Sequence, residues 1–230
     1  MPTITDAEFG ELVVRTHQKA SRISLRVAPD GRLRASTPPF TPLIAVKLLL
    51  KTSRPAIRKL LAERQAEKTY DRDQTIGKSH ALVIQRPAAT TRVQLVGTKI
   101  MVQLIANENI TDTAIQRDIR QIILKVLRKE AKSYLPRRLK FLAETHGFHY
   151  QTVKLTHASS RWGSCSSRGT ISLNISLMQL PFALLDYVLI HELCHTRQMN
   201  HSEKFWCEVA AIDPHYKLHR REIKQHTPNI

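Results

Sequence analysis

Four polar side chains that can bind metal ions or transfer protons lie close together in the last quarter of the sequence. They are His191, Glu192, His195 and His201, which fall within eleven positions and directly follow an aliphatic run. Imidazole nitrogens and carboxylate oxygens are common zinc ligands, and a glutamate beside zinc can act as a general base. This combination predicts a site at which a metal ion activates water.

A helix is expected to carry the first three of these side chains. One helical face would hold four residues spaced by four, three and four positions: Leu184, Val188, His191 and His195. Two histidines on an apolar face are costly unless their ring nitrogens have partners, and one shared metal ion supplies partners for both. Glu192 is offset by one position and stands beside the rings. This is the HExxH pattern, in which Zn²⁺ lowers the pKa of its water and the glutamate takes the proton as the hydroxide attacks a carbonyl.

His201 is the expected third ligand, because a tetrahedral catalytic zinc has three protein ligands and keeps its fourth position open. The helix cannot continue straight and still bring His201 back to the metal. Asn200 is suited to the break because asparagine tolerates the left-handed backbone conformation, and Ser202 is the expected N-cap of the next helix. Two glutamates remain alternative third ligands, Glu203 and Glu208.

Two simpler interpretations of the cluster stay open. The histidines could be core residues with satisfied hydrogen bonds and Glu192 a surface residue, or the cluster could hold a structural zinc without catalysis. Closed structural zinc sites normally have four protein ligands, often cysteines. Cys194 points away from both helical histidines, so we expect it to pack in the core.

The remaining sequence predicts an α+β protein with two regions, 1–110 and 111–230. The first is a β-rich region with a helical excursion. It includes a hairpin through the sequence PDG and helical periodicity from Leu43 to Ala66, where Pro55 is expected to start a second helix after Ser53. No internal repeat is apparent.

The second region is expected to contain the catalytic site. A long amphipathic helix is predicted between Thr111 and Gly147, and Pro136 is expected to kink or divide it. Strands are predicted between Thr152 and Leu177. The HExxH helix is then expected to begin around Pro181.

The sequence has a formal net charge of +17, with 18 basic and 9 acidic residues through position 110 and 18 and 10 after it. Because the excess is spread over the chain, nucleic acid is an expected partner; a basic solvated surface is the alternative. The long helix carries a positive stripe, for which a solvated face is favoured over a phosphate-binding ridge: Lys125, Arg128, Lys129 and Lys132. No signal peptide or membrane span is expected, and three cysteines without paired CxxC spacing predict reduced thiols in a cytoplasmic protein.

Two segments carry a resemblance to a known family. The run "SSRWGSCSSRGTISLN" and the stretch from "LPFALLDYVLIHELCHTRQMNHSEKFW" to "PHYKL" resemble the YgjP-like metallopeptidase-domain family, itself similar to SprT-type and WLM zinc peptidases. A weaker likeness covers "SRISLRVAPDGRLRASTPP". The resemblance implies a zincin-like fold with the HExxH helix packed on a mixed sheet, and polypeptide substrates. It also implies zinc ligand roles for His191, His195 and His201 and the base role for Glu192.

The segment Arg161–Cys165 also matches the family. In zinc peptidases of this design an edge strand above the metal pairs with the extended substrate, and this segment is the candidate strand. Gly163 would permit close backbone approach, although Trp162 in the core and Gly163 in a bulge explain the pattern equally well. Tyr216 and His215 could stabilise an oxyanion, but surface roles are favoured for both.

Two functions follow as hypotheses. The first is a zinc peptidase, and the related SprT-type proteins suggest that it acts on proteins associated with nucleic acid. The second is a nucleic-acid-binding protein whose zinc site is structural or vestigial. Glu192 favours the first hypothesis, because a purely structural site does not need a carboxylate beside an open coordination position.

Overall fold

The computed structural model describes four stretches of the chain: residues 2–18, 20–27, 33–58 and 69–230. Contacts between Cα atoms divide the chain into two compact units, Met1–Glu67 and Lys68–Ile230. Each unit has its own cluster of buried apolar side chains. A separate core is what an independently folding domain requires.

The first unit contains a four-stranded sheet, the first sheet, in the order β1-β2-β4-β3. Its strands are β1 Thr3–Asp6, β2 Gly10–Thr16, β3 Ser24–Val27 and β4 Leu33–Thr37. The inner strands β2 and β4 are parallel, and each outer strand is antiparallel to its neighbour. Alternate side chains of β4 are buried because one face of the sheet packs on helix α1 (Leu43–Thr52) through Val46 and Leu50.

Two predicted features of this unit, the hairpin and the second helix, agree with the structure where it describes them. The antiparallel pairing of β3 and β4 is the predicted hairpin, whose PDG turn lies outside the described residues. Residues 54–58 are helical, so Pro55 stands in the first turn of a second helix, where its missing N–H costs nothing. The predicted continuation of this helix to Ala66 lies outside the described residues.

The second unit begins with another four-stranded sheet, the second sheet, in the order β5-β6-β8-β7. Its strands are β5 Gln74–Ile76, β6 His80–Gln85, β7 Arg92–Val96 and β8 Lys99–Gln103. The inner strands β6 and β8 are parallel, and both outer pairs are antiparallel.

The first and second sheets therefore share one plan. In each, a hairpin with a three-residue loop, residues 7–9 or 77–79, precedes a second hairpin, and the inner strands of the two hairpins pair in parallel. Each sheet is followed in the chain by a helix. The structure thus contains an internal repeat that the sequence analysis missed.

The second unit continues with the long helix α2 (Thr113–His146) and a mixed third sheet. Pro136 lies inside α2 and does not divide it, because the flanking Leu135 and Leu139 are fully buried and hold both sides in the core. The third sheet has β10 at one edge. Its strands are β9 Thr152–Thr156, β10 Gly163–Cys165 and β11 Thr170–Asn174.

The last predicted strand is shorter than expected. It ends at Asn174, whose side chain accepts a hydrogen bond from the Ser176 N–H at 3.0 Å and so starts a 3-10 helix, Ile175–Gln179. The remaining helices are α3 Phe182–Cys194, α4 Glu203–Ile212, α5 Tyr216–Glu222 and a 3-10 turn Ile223–Gln225. Helix α3 begins directly after Pro181, as predicted.

One apolar cluster joins the second sheet, α2, the third sheet and α3. The domain boundary expected after residue 110 falls inside this unit, because Ile100 on β8 and Ile119 on α2 are fully buried in the same core. The architecture is α+β. Among the described residues no helix is both long enough and apolar enough to cross a bilayer.

Candidate metal centre

The end of α3 positions the histidine cluster. Leu184 and Val188 are buried, which directs the stripe that also carries His191 into the core. The helix ends at Cys194, and His195 is its C-cap residue. The chain then tightens, since the Thr196 N–H bonds the Leu193 carbonyl at 2.9 Å.

The turn back to His201 differs from its prediction in one respect. Ser202 occupies the N-cap position of α4, as expected, although its side chain makes no capping hydrogen bond. Asn200 is not left-handed, since Phe40 is the one non-glycine residue with positive φ in the described chain. The tight hydrogen bonds after Cys194 end the helix earlier, so no left-handed residue is needed.

Three imidazole nitrogens converge at this place. The Nε2 atom of His191 lies 3.2 Å from Nε2 of His195 and 3.1 Å from Nε2 of His201. Two nitrogens that share one tetrahedral zinc, each about 2.0–2.1 Å away, lie about 3.4 Å apart. The two spacings from His191 match this value, and all three ligand atoms lie within 4.8 Å of one another, so the group could hold one small cation.

The ring of His195 is held in the orientation that a ligand needs. Its Nδ1 lies 2.9 Å from the carbonyl oxygen of Gln198. Because a carbonyl can only accept, Nδ1 must carry the proton, which leaves the lone pair of Nε2 facing His191 and His201. A cation at the centre of the three nitrogens would satisfy all of these lone pairs.

Burial favours the neutral form of two of these imidazoles, His191 and His201. Burial, reinforced by the charges of His195 and His201, lowers the pKa of His191 to about 3. The pKa of His201 is also lowered, mainly by burial. Neutral imidazole is the form that binds metal ions, so His191 and His201 can act as ligands without first losing a proton at neutral pH.

Glu192 is buried next to the edge strand of the third sheet. Its side chain is 5% exposed, and its Oε2 atom has no hydrogen-bond partner among the described residues. A Cβ atom at Gly163 would stand 2.7 Å from both Cγ and Oε1 of Glu192. Burial raises the pKa of Glu192 to about 8, although the positive charge of Arg161 opposes this rise. The Glu192 side chain thus packs directly against Gly163, a contact that the sequence did not predict.

Aromatic rings behind the cluster were not singled out by the sequence analysis. Phe205 is fully buried, and its ring centroid lies between 4.5 and 4.9 Å from those of all three histidines. Trp206 stacks on His201 at 5.5 Å. Both follow His201 in the segment "HSEKFW", so the signal for them was the apolar pair on the first turn of α4. These rings fix where the imidazoles can point.

A cavity of about 210 Å³ opens beside His191 and Glu192. Its other lining residues are Trp162, Gly163, Tyr187, Val188 and Ile223. Burial raises the pKa of the Tyr187 hydroxyl to about 12. The cavity therefore combines a largely apolar wall with one neutral hydroxyl-bearing residue.

The other candidates lie away from this centre. In the described chain the metal-binding group consists of the three histidines, and neither Glu203 nor Glu208 belongs to it. Cys194 is fully buried, as expected for a packing role. Tyr216 stacks on Trp206 at 5.6 Å, so it supports the ring behind His201.

His215 belongs to the connection between α4 and α5. Its backbone N–H donates to Asp213 Oδ1 at 3.0 Å, and the other carboxylate oxygen of Asp213 accepts from Nδ1 of His219 at 2.7 Å. This pairing fixes the connection between α4 and α5.

Comparison with known proteins gives the family. A family model described as "YgjP-like, metallopeptidase domain" matches residues 21–226, nearly the whole chain. Among solved structures the chain is similar to the crystal structure of the metallopeptidase zymogen of Pyrococcus abyssi abylysin, with 26% identity and a TM-score of 0.36, covering 39% of this chain and 92% of that chain. No curated protein matches. The chain therefore belongs to the YgjP-like metallopeptidase family, which makes it a peptidase that works with a bound metal ion.

Proposed function

We propose that the chain is a zinc-dependent peptidase of zincin-like design, in which His191, His195 and His201 hold Zn²⁺. The observation that carries this proposal is the convergence of three Nε2 atoms at spacings of 3.1 and 3.2 Å. Three neutral nitrogen ligands without a fourth protein ligand are typical of catalytic zinc. When bound, zinc would lower the pKa of a water molecule and polarise the scissile carbonyl.

Glu192 is the general base of this proposal. Its carboxylate is buried beside His191 and shares the active-site cavity with it. Burial raises the pKa of Glu192 to about 8, and a dication bound by the neighbouring histidines would lower that pKa. Glu192 would thus take a proton from the attacking water and later deliver it to the leaving amine.

The edge strand β10 is the proposed docking strand for the polypeptide. It pairs with β11 on one side and forms the edge of the third sheet on the other. An extended substrate can add to such an edge through main-chain hydrogen bonds. Gly163 on this strand touches Glu192, so the docked peptide bond would lie next to the base.

A pair of variants tests the assignment. Glu192→Gln should retain the bound metal and lose cleavage of an unfolded protein such as casein by about 10²–10⁴-fold, because the base is gone. His201→Ala should lower the metal content measured by mass spectrometry. Glu203→Gln, which changes an exposed acid outside the cluster, should alter neither. Unchanged cleavage by Glu192→Gln would remove the proposed mechanism.

The contact between Gly163 and Glu192 gives a sharper test. Gly163→Ala should lower kcat while the metal is retained, because the added Cβ displaces the carboxylate. Ser164→Ala on the same strand is the matched control and should keep activity. Equal activity of the two variants would show that the position of Glu192 is not set by β10.

The charge of +17 supports two further parts of the proposal. Proteins bound to nucleic acid are the proposed substrates, because a basic protein is drawn to the same polyanion. Three free cysteines support a cytoplasmic location. The alternative, a nucleic-acid-binding protein with a structural zinc, predicts no metal-dependent cleavage, so the Glu192→Gln experiment separates the two functions.

A further inference from the structure

A basic surface lies in the first unit, on the face of the first sheet turned away from α1. We call it the arginine face. Its residues are paired across the strands: Arg15 with Ser36, Ser24 with Ser36, and Arg26 with Arg34. Directly paired residues project from the same side of a sheet, so guanidinium and hydroxyl groups stand together here.

A groove of about 380 Å³ crosses this face. Its lining residues are His17, Ala20, Ser21, Arg22, Ser24, Arg26 and Ser36. Two guanidinium groups and three hydroxyls therefore surround one concave space, and none of the described lining residues is acidic. Guanidinium and hydroxyl donors together match the oxygens of a phosphate group.

Two arginines of the groove, Arg22 and Arg26, and the neighbouring Arg15 of the arginine face are available to a ligand. Arg15, Arg22 and Arg26 are exposed and form no ion pair with any residue that the structure describes. Other arginines of the same unit do pair, since Arg54 contacts Asp6 at 3.0 Å. One acid, Glu11, lies on the same face, four positions from Arg15 along β2 and therefore about 13 Å away.

The second sheet has the same topology, so its residues can be compared with the arginines at equivalent positions of the first sheet. Its register places Gln85 opposite Gln103 and Gln94 opposite Met101. Gln85 and Gln94 therefore stand where the first sheet has Arg15 and Arg26. The same face of the second sheet carries Arg92 where the first sheet has Ser24, but it has no positive charge at the positions of Arg15 and Arg26. The shared topology therefore does not require Arg15 and Arg26 for folding.

We propose that the arginine face binds the phosphate backbone of nucleic acid. A membrane surface fits less well, because binding to a bilayer needs exposed apolar side chains beside the charges. The exposed large apolar side chains of the first unit lie on or just before α1, and α1 covers the opposite face of the sheet. They are Phe40, Leu43, Ile44 and Leu48. Serine hydroxyls between arginines match phosphate contacts, which fix a backbone without reading sequence.

The test is fluorescence anisotropy of a labelled single-stranded oligothymidine titrated with the full chain. The variant Arg15→Gln/Arg26→Gln introduces the residues that the second sheet carries, so its fold should be retained. We expect its Kd to rise about tenfold, and its salt dependence to lose about 1.4 in slope, the value for two phosphate contacts on a single strand. Circular dichroism of the variant checks the fold.

The matched control removes two positive charges from the corresponding face of the second sheet, Arg92→Gln/Lys99→Gln. Its Kd should change less than about twofold, because long-range attraction alone is weakly affected. Equal losses in both variants, or no loss in either, would overturn the proposal. Two other results would also overturn it. One is that polyglutamate, at equal charge, displaces the labelled oligonucleotide as well as unlabelled DNA does. The other is that the protein binds phosphatidylserine vesicles but does not bind the oligonucleotide.

This inference names a partner for the proposed peptidase but does not depend on its metal site. The anisotropy experiment has no proteolytic readout, and it can be run on Glu192→Gln. Loss of oligonucleotide binding would leave cleavage untouched, and loss of cleavage would leave binding untouched. The two proposals can therefore fail separately.

Discussion

The first and second sheets have the same strand order, the same parallel inner pair and the same three-residue first loop, yet they are used differently. The first makes a small core with α1, whereas the second joins the large core that also contains α2 and α3. Their outer faces differ as well, since Arg15 and Arg26 of the first correspond to Gln85 and Gln94 of the second. One sheet topology can therefore either support a metal site or present a separate charged surface.

The largest effect should come from truncating equivalent core positions. Leu33 and Ile100 occupy corresponding places on β4 and β8, and both are almost fully buried. Each change to alanine should cost about 2–5 kcal/mol of local stability. Ile100→Ala should raise hydrogen exchange in α2 and reduce cleavage, because its core holds the metal centre. Leu33→Ala should raise exchange in α1 alone; exchange changes in both units from either variant would break the comparison.

The second largest effect should distinguish the first hairpin of the first sheet from the first hairpin of the second sheet. Gly10 and Gly77 both have positive φ, 71° and 65°, so alanine should cost about 1–2 kcal/mol at each. A Cβ at Gly10 meets nothing within 4 Å, whereas one at Gly77 collides with the Glu130 carboxylate. Gly77→Ala should therefore destabilise its unit by more than Gly10→Ala, as measured by urea unfolding followed through hydrogen exchange. An equal loss of unfolding free energy in the two variants would mean that the Glu130 carboxylate moves away from the new Cβ without an energetic penalty.

The smallest effect concerns the acids that hold these loops. Glu130 reaches the second loop from α2 and accepts hydrogen bonds from the Lys78 N–H at 2.8 Å and from Ser79 Oγ and His80 Nδ1, both at 2.7 Å. The first loop is held locally by Asp6, which accepts from the Glu8 N–H at 2.9 Å. Glu130→Gln should lower the free energy of unfolding of the second unit by about 1–2 kcal/mol, and Asp6→Asn should lower that of the first unit by less.

This last comparison has a pH dependence. Burial alone would raise the pKa of Glu130, but the hydrogen bonds from Lys78, Ser79 and His80 bring it below its ordinary value. The folded state then binds fewer protons than the unfolded state, so the stabilisation is present above about pH 4.5 and is lost as the pH falls through the lowered pKa. The stability gap between wild type and Glu130→Gln should narrow on acidification. A constant gap would contradict the sign of this shift.

The sequence was most informative where local spacing decides the structure. His191, Glu192 and His195 were predicted on a helix because a short periodic run sets which side chains share a face. His201 was predicted to return because a tetrahedral catalytic zinc has a third protein ligand, and this return requires the helix to end before it. Contacts over long separations gave no such signal, so the approach of Gly163 to Glu192 was visible only in the folded chain.

The internal repeat was hidden for a related reason. Equivalent buried positions need only be apolar, so Leu33 corresponds to Ile100 and Ala35 to Val102 without sequence identity. Equivalent exposed positions are free to differ, and Arg15 corresponds to Gln85. The predicted boundary after residue 110 failed to reflect the compact units because strand patterns do not say which helix will cover them.

The stacking of Trp206 on His201 has a practical consequence. The sequence has two tryptophans, and the other one, Trp162, lines the cavity beside His191. The indole emission of the whole protein therefore originates within a few side chains of the imidazoles. A Co²⁺ titration should quench this emission, so occupancy of the centre can be followed in unlabelled protein by its own fluorescence.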